Sequence, residues 1–368
     1  MSARTPQRVL VIVTRRIGDV LLATPVFRSL RRAWPDATID ALVFRSTAAA
    51  LAGNPDINQI HAIDERPTLT QHLVFIARLF RRYELAVSLV AGDRPTLYAF
   101  AAGQRRIGLL LPTQKEAWKR RFLNAWAPYD MTEKHTVLTQ LSVLSLLNVK
   151  PIAELVAPMS EADHARADAA LATLKGQRFV VLHPYPKFNY KTWSVEGWLV
   201  LAQWLTSKHL GIVLTGGGEA TERAYVEVIA REIPGALNLA GQVSLGVTTA
   251  IIARAVAYVG PDTATTHIAA ALGVPMVTFF GPTDPLKWGP WPKGYPVGYQ
   301  GHDGDDTSPW RRLGHQARGN IRLLQGAAMC APCGHEGCKR HVESASDCLR
   351  TLPASRVIAA LSEAAGIE

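Results

Sequence analysis

Gly260 to Asp284 holds the densest run of residues able to do chemistry: Gly-Pro-Asp-Thr-Ala-Thr-Thr-His-Ile-Ala-Ala-Ala-Leu-Gly-Val-Pro-Met-Val-Thr-Phe-Phe-Gly-Pro-Thr-Asp. Val256 to Val259 reads as the end of a buried strand that Gly260-Pro261 breaks. Asp262 is then placed to cap a helix from about Thr263 to Leu272, which Gly273 ends and Pro275 keeps from continuing. The first amides of such a helix lack intrahelical partners and point outward with the positive end of the dipole. Thr263, Ala264 and Thr265 therefore offer donors to an anion, phosphate above all, with His267 one turn further on. Capping alone also accounts for Asp262, Thr263, Thr265 and Thr266, so the rest of the chain has to decide.

Asp19 follows Arg15-Arg16-Ile17-Gly18 at the start of another predicted helix. It stands at the carboxyl end of the first strand, the edge where open α/β sheets bind ligands. It reads equally as an N-cap. Ala91-Gly92-Asp93-Arg94-Pro95-Thr96 falls on the same edge and suits either an acceptor contact or ordinary turn chemistry. In the second half, His183-Pro184 precedes Lys191-Thr192-Trp193, and Gly216-Gly217-Gly218-Glu219 follows a strand. The triple glycine is no Walker A loop, because no Gly-Lys-Ser/Thr follows it. It does let backbone approach a nucleotide, with Glu219 or Glu222 near enough to accept from a ribose or base. Asp303-Gly304-Asp305 has the form of a metal-binding Asp-x-Asp, but in a Gly/Asp loop with no strand before it.

The four cysteines, Cys330, Cys333, Cys338 and Cys348, space as C-x2-C-x4-C-x9-C, with His335 and His341 between them. In a reducing compartment this spacing fits a four-thiolate structural zinc or iron site; free thiols, or disulfides formed after purification, fit it as well.

These groups need a scaffold. The chain has 368 residues, 48% hydrophobic and 19% charged, enough to bury a large core and divide into about two domains. A net charge of +10 favours acidic partners: nucleotides, nucleic acid or an anionic membrane surface. No apolar run approaches the roughly 20 residues that span a bilayer. Val9 to Val13 is too short for a signal-peptide core, which places the chain in the cytoplasm. Arg8 to Thr14, Thr38 to Phe44, Leu85 to Val90, Arg105 to Leu111, Phe179 to Leu182, Gly211 to Thr215 and Met276 to Phe280 read as strands. Helical stretches between them imply doubly wound parallel sheets. Gln114 to Trp126 interleaves Lys115, Lys119, Arg120 and Arg121 with Trp118, Phe122, Leu123 and Trp126. That composition suits a membrane interface or a phosphorylated glycolipid, and equally a solvated helix with one core face.

Taken in order, the segments Arg16-Ile17-Gly18-Asp19-Val20, His183-Pro184 with Lys191-x-Trp193, Gly216 to Gly218, Asp262-Thr263 with His267-x-Ala269-Ala270-Ala271-Leu272-Gly273, and Phe280-Gly281-Pro282-Thr283 resemble glycosyltransferase family 9, the ADP-heptose:lipopolysaccharide heptosyltransferases. The resemblance implies two Rossmann-like domains facing across a cleft in the GT-B arrangement. Residues 1–155 would hold the acceptor and 156–350 the nucleotide sugar, with 351–368 a terminal helix packing back on the first domain. It further implies inverting, metal-independent transfer of heptose from ADP-heptose to the lipid A-linked inner core of lipopolysaccharide, at the cytoplasmic face of the inner membrane. In that scheme Asp19 is the general base and Lys191 and the helix amides receive the diphosphate. Asp262 holds sugar hydroxyls, His267 reaches a sugar or phosphate oxygen, and Gly18, Gly216, Gly217, Gly218 and Glu222 complete the substrate-binding set. No nucleic-acid partner and no catalytic metal are implied. Tyr185 and Ala264 stand where glycine is frequent in the family, and both restrict close backbone approach. The competing readings are a related transferase using another nucleotide sugar and a noncatalytic basic binder of nucleic acid or acidic glycan.

Overall fold

Val9 to Val13 are all fully buried, and this explains a first strand without polar alternation: it is covered on both faces. The computed structural model describes residues 5–130, 133–296 and 308–368; Asp303-Gly304-Asp305 lies outside them. The chain divides into two units, Met1–Ala157 with Gly294–Ser308, and Pro158–Lys293 with Pro309–Glu368.

The first unit runs β1 (Arg8–Val13), α1 (Ile17–Leu22), α2 (Thr24–Ala33), β2 (Thr38–Phe44), β3 (Gln59–Ile63), α3 (Leu69–Leu79), β4 (Tyr83–Ser88), α4 (Asp93–Ala102), β5 (Gly103–Leu110), β6 (Ala125–Pro128) and α5 (Thr136–Leu141). Its sheet has the order β3-β2-β1-β4-β5-β6 with parallel pairs throughout. The strand order reverses between β1 and β4, so the polar turn after β1 sits at the switch point where such sheets bind ligands. The expected single helix after β1 is two pieces, closed at Ala23 and restarted ahead of Pro25, which has no N–H to continue the ladder. Gln114 to Trp126 is not an α-helix either. It forms a 3-10 helix over Gln114–Phe122, and Trp126 belongs to β6.

The second unit runs α6 (Glu161–Leu171), β7 (Phe179–Leu182), α7 (Val195–Ser207), β8 (Gly211–Leu214), α8 (Ala220–Arg231), β9 (Leu237–Asn238), α9 (Leu245–Ile252), β10 (Ala257–Pro261), α10 (Ala264–Leu272), β11 (Met276–Phe280), α11 (Pro285–Trp288), β12 (Gln316–Arg318), β13 (Ile321–Gln325), α12 (Asp347–Arg350) and α13 (Ala354–Ala365). The sheet order is β12-β13-β11-β10-β7-β8-β9, parallel except for the β12–β13 edge pair. Its switch point lies between β7 and β10, which deliver His183 and Asp262 to one edge. Helix α13 packs within the second unit. Val357 and Leu361 are buried in the second unit's core with Leu201, Leu205 and Phe279, because its apolar stripe fits against α7 and the β10–β11–β13 side of the sheet.

Trp193 anchors that core. Its ring centroid lies 5.0 Å from that of Trp198 and 5.2 Å from that of Phe279, and its Nε1 donates to the Leu352 carbonyl at 2.8 Å. A Cβ on Gly197 would come within 2.4 Å of the Trp193 ring, so that helix position admits only glycine without a shift. Truncating so buried a ring typically costs about 3–5 kcal/mol. The anchor fixes the backbone two residues from Lys191. Among the described residues no helix is long and apolar enough to cross a membrane.

Candidate active site

In the second unit the 3-10 turn Asn189–Lys191 ends on Lys191, and Thr192 Oγ1 locks it by donating to the Asn189 carbonyl. The Lys191 ammonium lies 2.5 Å from Asp262 Oδ2, with side-chain exposures of 18% and 9%. Asp262 is not the helix cap. Thr263 takes that position in an extended conformation, and no side-chain hydrogen bond caps α10 among the described residues. The amides of Ala264, Thr265 and Thr266 open the helix beside the ion pair, so the expected donor set moves on by one residue: Ala264 and Thr265 remain, Thr266 joins them and Thr263 becomes the N-cap. Hydroxyls brace the turn: Tyr258 Oη lies 2.9 Å from Thr265 Oγ1 and 3.1 Å from Thr266 Oγ1, and Thr263 Oγ1 lies 2.9 Å from Thr265 Oγ1. Tyr258 is fully buried and reads in the sequence as an ordinary strand residue; only its partners reveal it.

His267 is buried, and its Nδ1 has no hydrogen-bond partner among the described residues. Burial pushes its pKa down to about 4, against Asp262, which raises it, while Lys191 lowers it further. The ring is a neutral imidazole at physiological pH, able to donate or accept one hydrogen bond. His183, at the end of β7, is likewise pushed down to about 4 by burial; its Nδ1 lies 3.0 Å from Thr215 Oγ1. It supports the strand edge.

The glycine turn follows β8. A Cβ on Gly217 would approach Glu222 Oε2 to 2.6 Å and one on Gly216 would approach Ala240 Cβ to 3.1 Å, whereas one on Gly218 would meet nothing within 4 Å among the described residues. Two of the glycines thus let Glu222 fold back from the first turn of α8, and the third keeps a bare backbone. Burial raises the Glu222 pKa, with the Gly217 amide lowering it and Glu219 raising it. The ring of Tyr185 lies 5.0 Å from that of Tyr225, and burial together with Glu222 raises its hydroxyl pKa. The sequence marks Tyr185 only as a departure from glycine; the structure makes it an aromatic neighbour of the glycine turn.

In the first unit Asp19 is the third residue of α1, after the N-cap Arg16 and next to Gly18. Burial raises its pKa, while the Arg15 and Arg16 cations and the amides of Arg16 and Asp19 pull it down. Arg15 Nε stands 3.8 Å from Asp19 Oδ1. Tyr129 completes this half: burial and Asp19 raise its pKa, and Arg15 lowers it. Because burial outweighs those cations, this carboxylate is a stronger base than one in water. Asp93, on the same sheet edge, is bound 2.7 Å from the buried ammonium of Lys119.

The four cysteines are free, with Cys348 buried and Cys330 and Cys338 exposed. Burial, with the other three thiols nearby, pushes Cys348 up to about 12. Among the described residues no group of three His, Cys, Asp or Glu side chains is arranged to hold one ion. The spacing suits a tetrahedral ion, but Cys348 is packed under Gly281 and Gly326, and the Cys338 sulfur accepts from the Asp347 amide at 3.4 Å.

Two doubly wound units in one chain, each with its polar residues at a switch point, are the architecture of GT-B glycosyltransferases. Solved structures share it. A glycosyltransferase family 9 structure from Veillonella parvula DSM 2008 superposes with a TM-score of 0.77 at 17% identity, covering 98% of each chain. The E. coli ADP-heptose lipopolysaccharide heptosyltransferase II superposes with a TM-score of 0.71 at 19% identity, over 97% of this chain and 98% of that one. The family model for glycosyltransferase family 9 (heptosyltransferase) matches residues 96–299. Lipopolysaccharide heptosyltransferase 3 of Escherichia coli is 30% identical over 292 residues, covering 74% of this chain and 83% of that protein. The chain belongs to glycosyltransferase family 9, and it is a transferase.

Proposed function

We propose that this enzyme moves heptose from ADP-heptose to the inner core of lipopolysaccharide, in one inverting displacement without a metal ion. The observation that carries the reading is the Lys191–Asp262 pair at the mouth of α10; the relatives' names supply the substrate class. Asp19 accepts the proton of an acceptor hydroxyl as that oxygen bonds to the anomeric carbon. The bond from that carbon to the β-phosphate oxygen breaks, and its electron pair leaves with ADP. Charge grows on the departing diphosphate, so an ammonium and oriented amides lower the barrier by binding the transition state more tightly than the ground state. Asp262, relieved of part of its lysine, accepts from heptose hydroxyls, and neutral His267 adds one directional hydrogen bond. The glycine turn and Tyr185 receive the nucleoside. A single displacement inverts the anomeric centre. In this reading the enzyme works at the cytoplasmic face of the inner membrane, and no ion at the cysteines takes part.

The test is ADP release from ADP-heptose with a lipid-free core oligosaccharide, run in chelator, with the anomer of the product read by NMR. Release with an inverted product supports the proposal. A retained anomer removes the single displacement, and turnover with another nucleotide sugar but not ADP-heptose removes the donor.

A further inference from the structure

Seven of the twelve large hydrophobic residues exposed among the described residues fall between Leu69 and Trp118, and that clustering needs a cause. Helices α3 and α4 share one core cluster on one face of the first sheet, where Phe75 and Ile76 meet Tyr98, Ala99 and Ala102. The 3-10 helix Gln114–Phe122 continues that layer, with Phe100 of α4 against Phe122 at 5.1 Å between ring centroids. Each of these three elements also carries apolar residues on its outer side. On α3 these are Leu69, Leu73 and Val74, at 75%, 59% and 46% exposure, although that helix already buries Leu79 and half-buries Phe75 and Ile76. A helix needing only a core face would be polar there.

The 3-10 helix shows what the outer side is for. With three residues per turn, Lys115, Trp118 and Arg121 align in one row. All three are exposed, so a tryptophan stands between two cations on the outside. The opposite row holds Glu116, Lys119 and Phe122. There the buried Lys119 ammonium lies 2.5 Å from Glu116 and 2.7 Å from Asp93, on the first residue of α4. Both nearby acids are thereby paired with Lys119, Glu116 mostly buried and Asp93 still exposed, and the outward row itself carries only positive charge.

We propose that this outer face of α3, α4 and the 3-10 helix docks on a bilayer carrying anionic lipids. Apolar side chains enter the interface, and Lys115 and Arg121 meet the headgroup phosphates. A second copy of the chain is the poorer occupant, because a twofold pairing would set this row of cations against its own copy. The inference supplies a surface for the membrane-side location proposed above. It is read without sugar transfer, so the two can fail separately.

The test is co-sedimentation of the full chain with vesicles of phosphatidylcholine alone or mixed with phosphatidylglycerol. Wild type is expected to sediment with the anionic vesicles and to be released by salt. The double variant Lys115→Gln/Arg121→Gln should partition about 25-fold more weakly, roughly fivefold for each cation removed. Leu73→Ser/Val74→Ser should weaken binding to the anionic vesicles while keeping its salt dependence. Neither pair touches the catalytic residues, so ADP release with a lipid-free acceptor and the melting temperature should match wild type. Equal sedimentation of wild type and both variants overturns the proposal. So does a dimer in vesicle-free sedimentation that Leu73→Ser/Val74→Ser abolishes, since the face would then serve a second copy.

Discussion

Lys191 and Asp262, 71 positions apart in the chain, close an ion pair at 2.5 Å beside the first turn of α10. The pair holds a positive charge next to outward-pointing amides, at the sheet edge where His183 and the glycine turn also arrive. One ammonium thereby neutralises a buried carboxylate and stays available to a phosphate.

Lys191→Ala is expected to lower kcat/KM by about 10²- to 10³-fold, the scale of losing one preorganised donor at a charge that develops in the transition state. Donor affinity should weaken with it. The substitution also strands the Asp262 carboxylate, so urea unfolding should show a loss of about 3 kcal/mol. Unchanged kcat/KM with ADP-heptose would remove Lys191 from the reaction.

Asp19→Asn should reduce turnover by about 10³-fold, within the range for a general base, while ADP binds in calorimetry as to wild type. Because burial raises the folded-state pKa, the native carboxyl holds its proton more tightly than the unfolded chain does. Its ionisation therefore costs stability as pH rises above the ordinary carboxylate range. The variant should melt no lower than wild type at neutral pH, and a clear drop in melting temperature would contradict the assigned environment.

The acid limb of the kcat/KM profile reports the same group. It should lie above the ordinary carboxylate range, since burial dominates the Asp19 shift. Arg15 opposes that shift, so Arg15→Gln should move the limb to higher pH. A limb that stays put or moves down would mean that another group sets it.

His183 and His267 give a signature in stability. Both are held near pKa 4 by burial, from a usual value of 6.5. Between those values the unfolded chain binds protons that the native one refuses, so stability is full above about pH 6.5 and falls toward pH 4, by on the order of 3 kcal/mol for each ring. Denaturant titrations at neutral and mildly acidic pH should show the fall, and His267→Gln should flatten part of it. Equal midpoints across that window in wild type would show that the rings charge freely in the fold.

The cysteines allow a direct measurement. Among the described residues no three His, Cys, Asp or Glu side chains are grouped to hold one ion, so elemental analysis of protein purified under reducing, chelator-free conditions is expected to give less than one zinc or iron per chain. A stoichiometric ion that resists dialysis would show that the loop closes around it.

Much of the scaffold is legible before folding. Thr38 to Phe44, Phe179 to Leu182 and Met276 to Phe280 occupy their strands residue for residue, because strands covered on both faces are written as nearly continuous apolar runs, interrupted in the first only by Asp40. Helix α3 is not legible in this way, since its apolar residues fall on both its inner and outer sides and blur the period. Helix α10 starts one residue later than the local pattern suggests, with Thr263 as its N-cap, and the Asp262 carboxylate meets a lysine that no local pattern points to.

The residue types themselves were enough to specify two wound sheets, the glycine turn, and the candidates Asp19, Lys191, Asp262 and His267, since each sits beside a local signal of strand end or helix start. Their partners were decided in space. Lys191 finds Asp262, Tyr258 braces the threonines, Glu222 folds onto the glycine turn and α13 settles on the second unit, because burial and charge act between segments far apart in the chain, and those distances exist only once the sheets have formed.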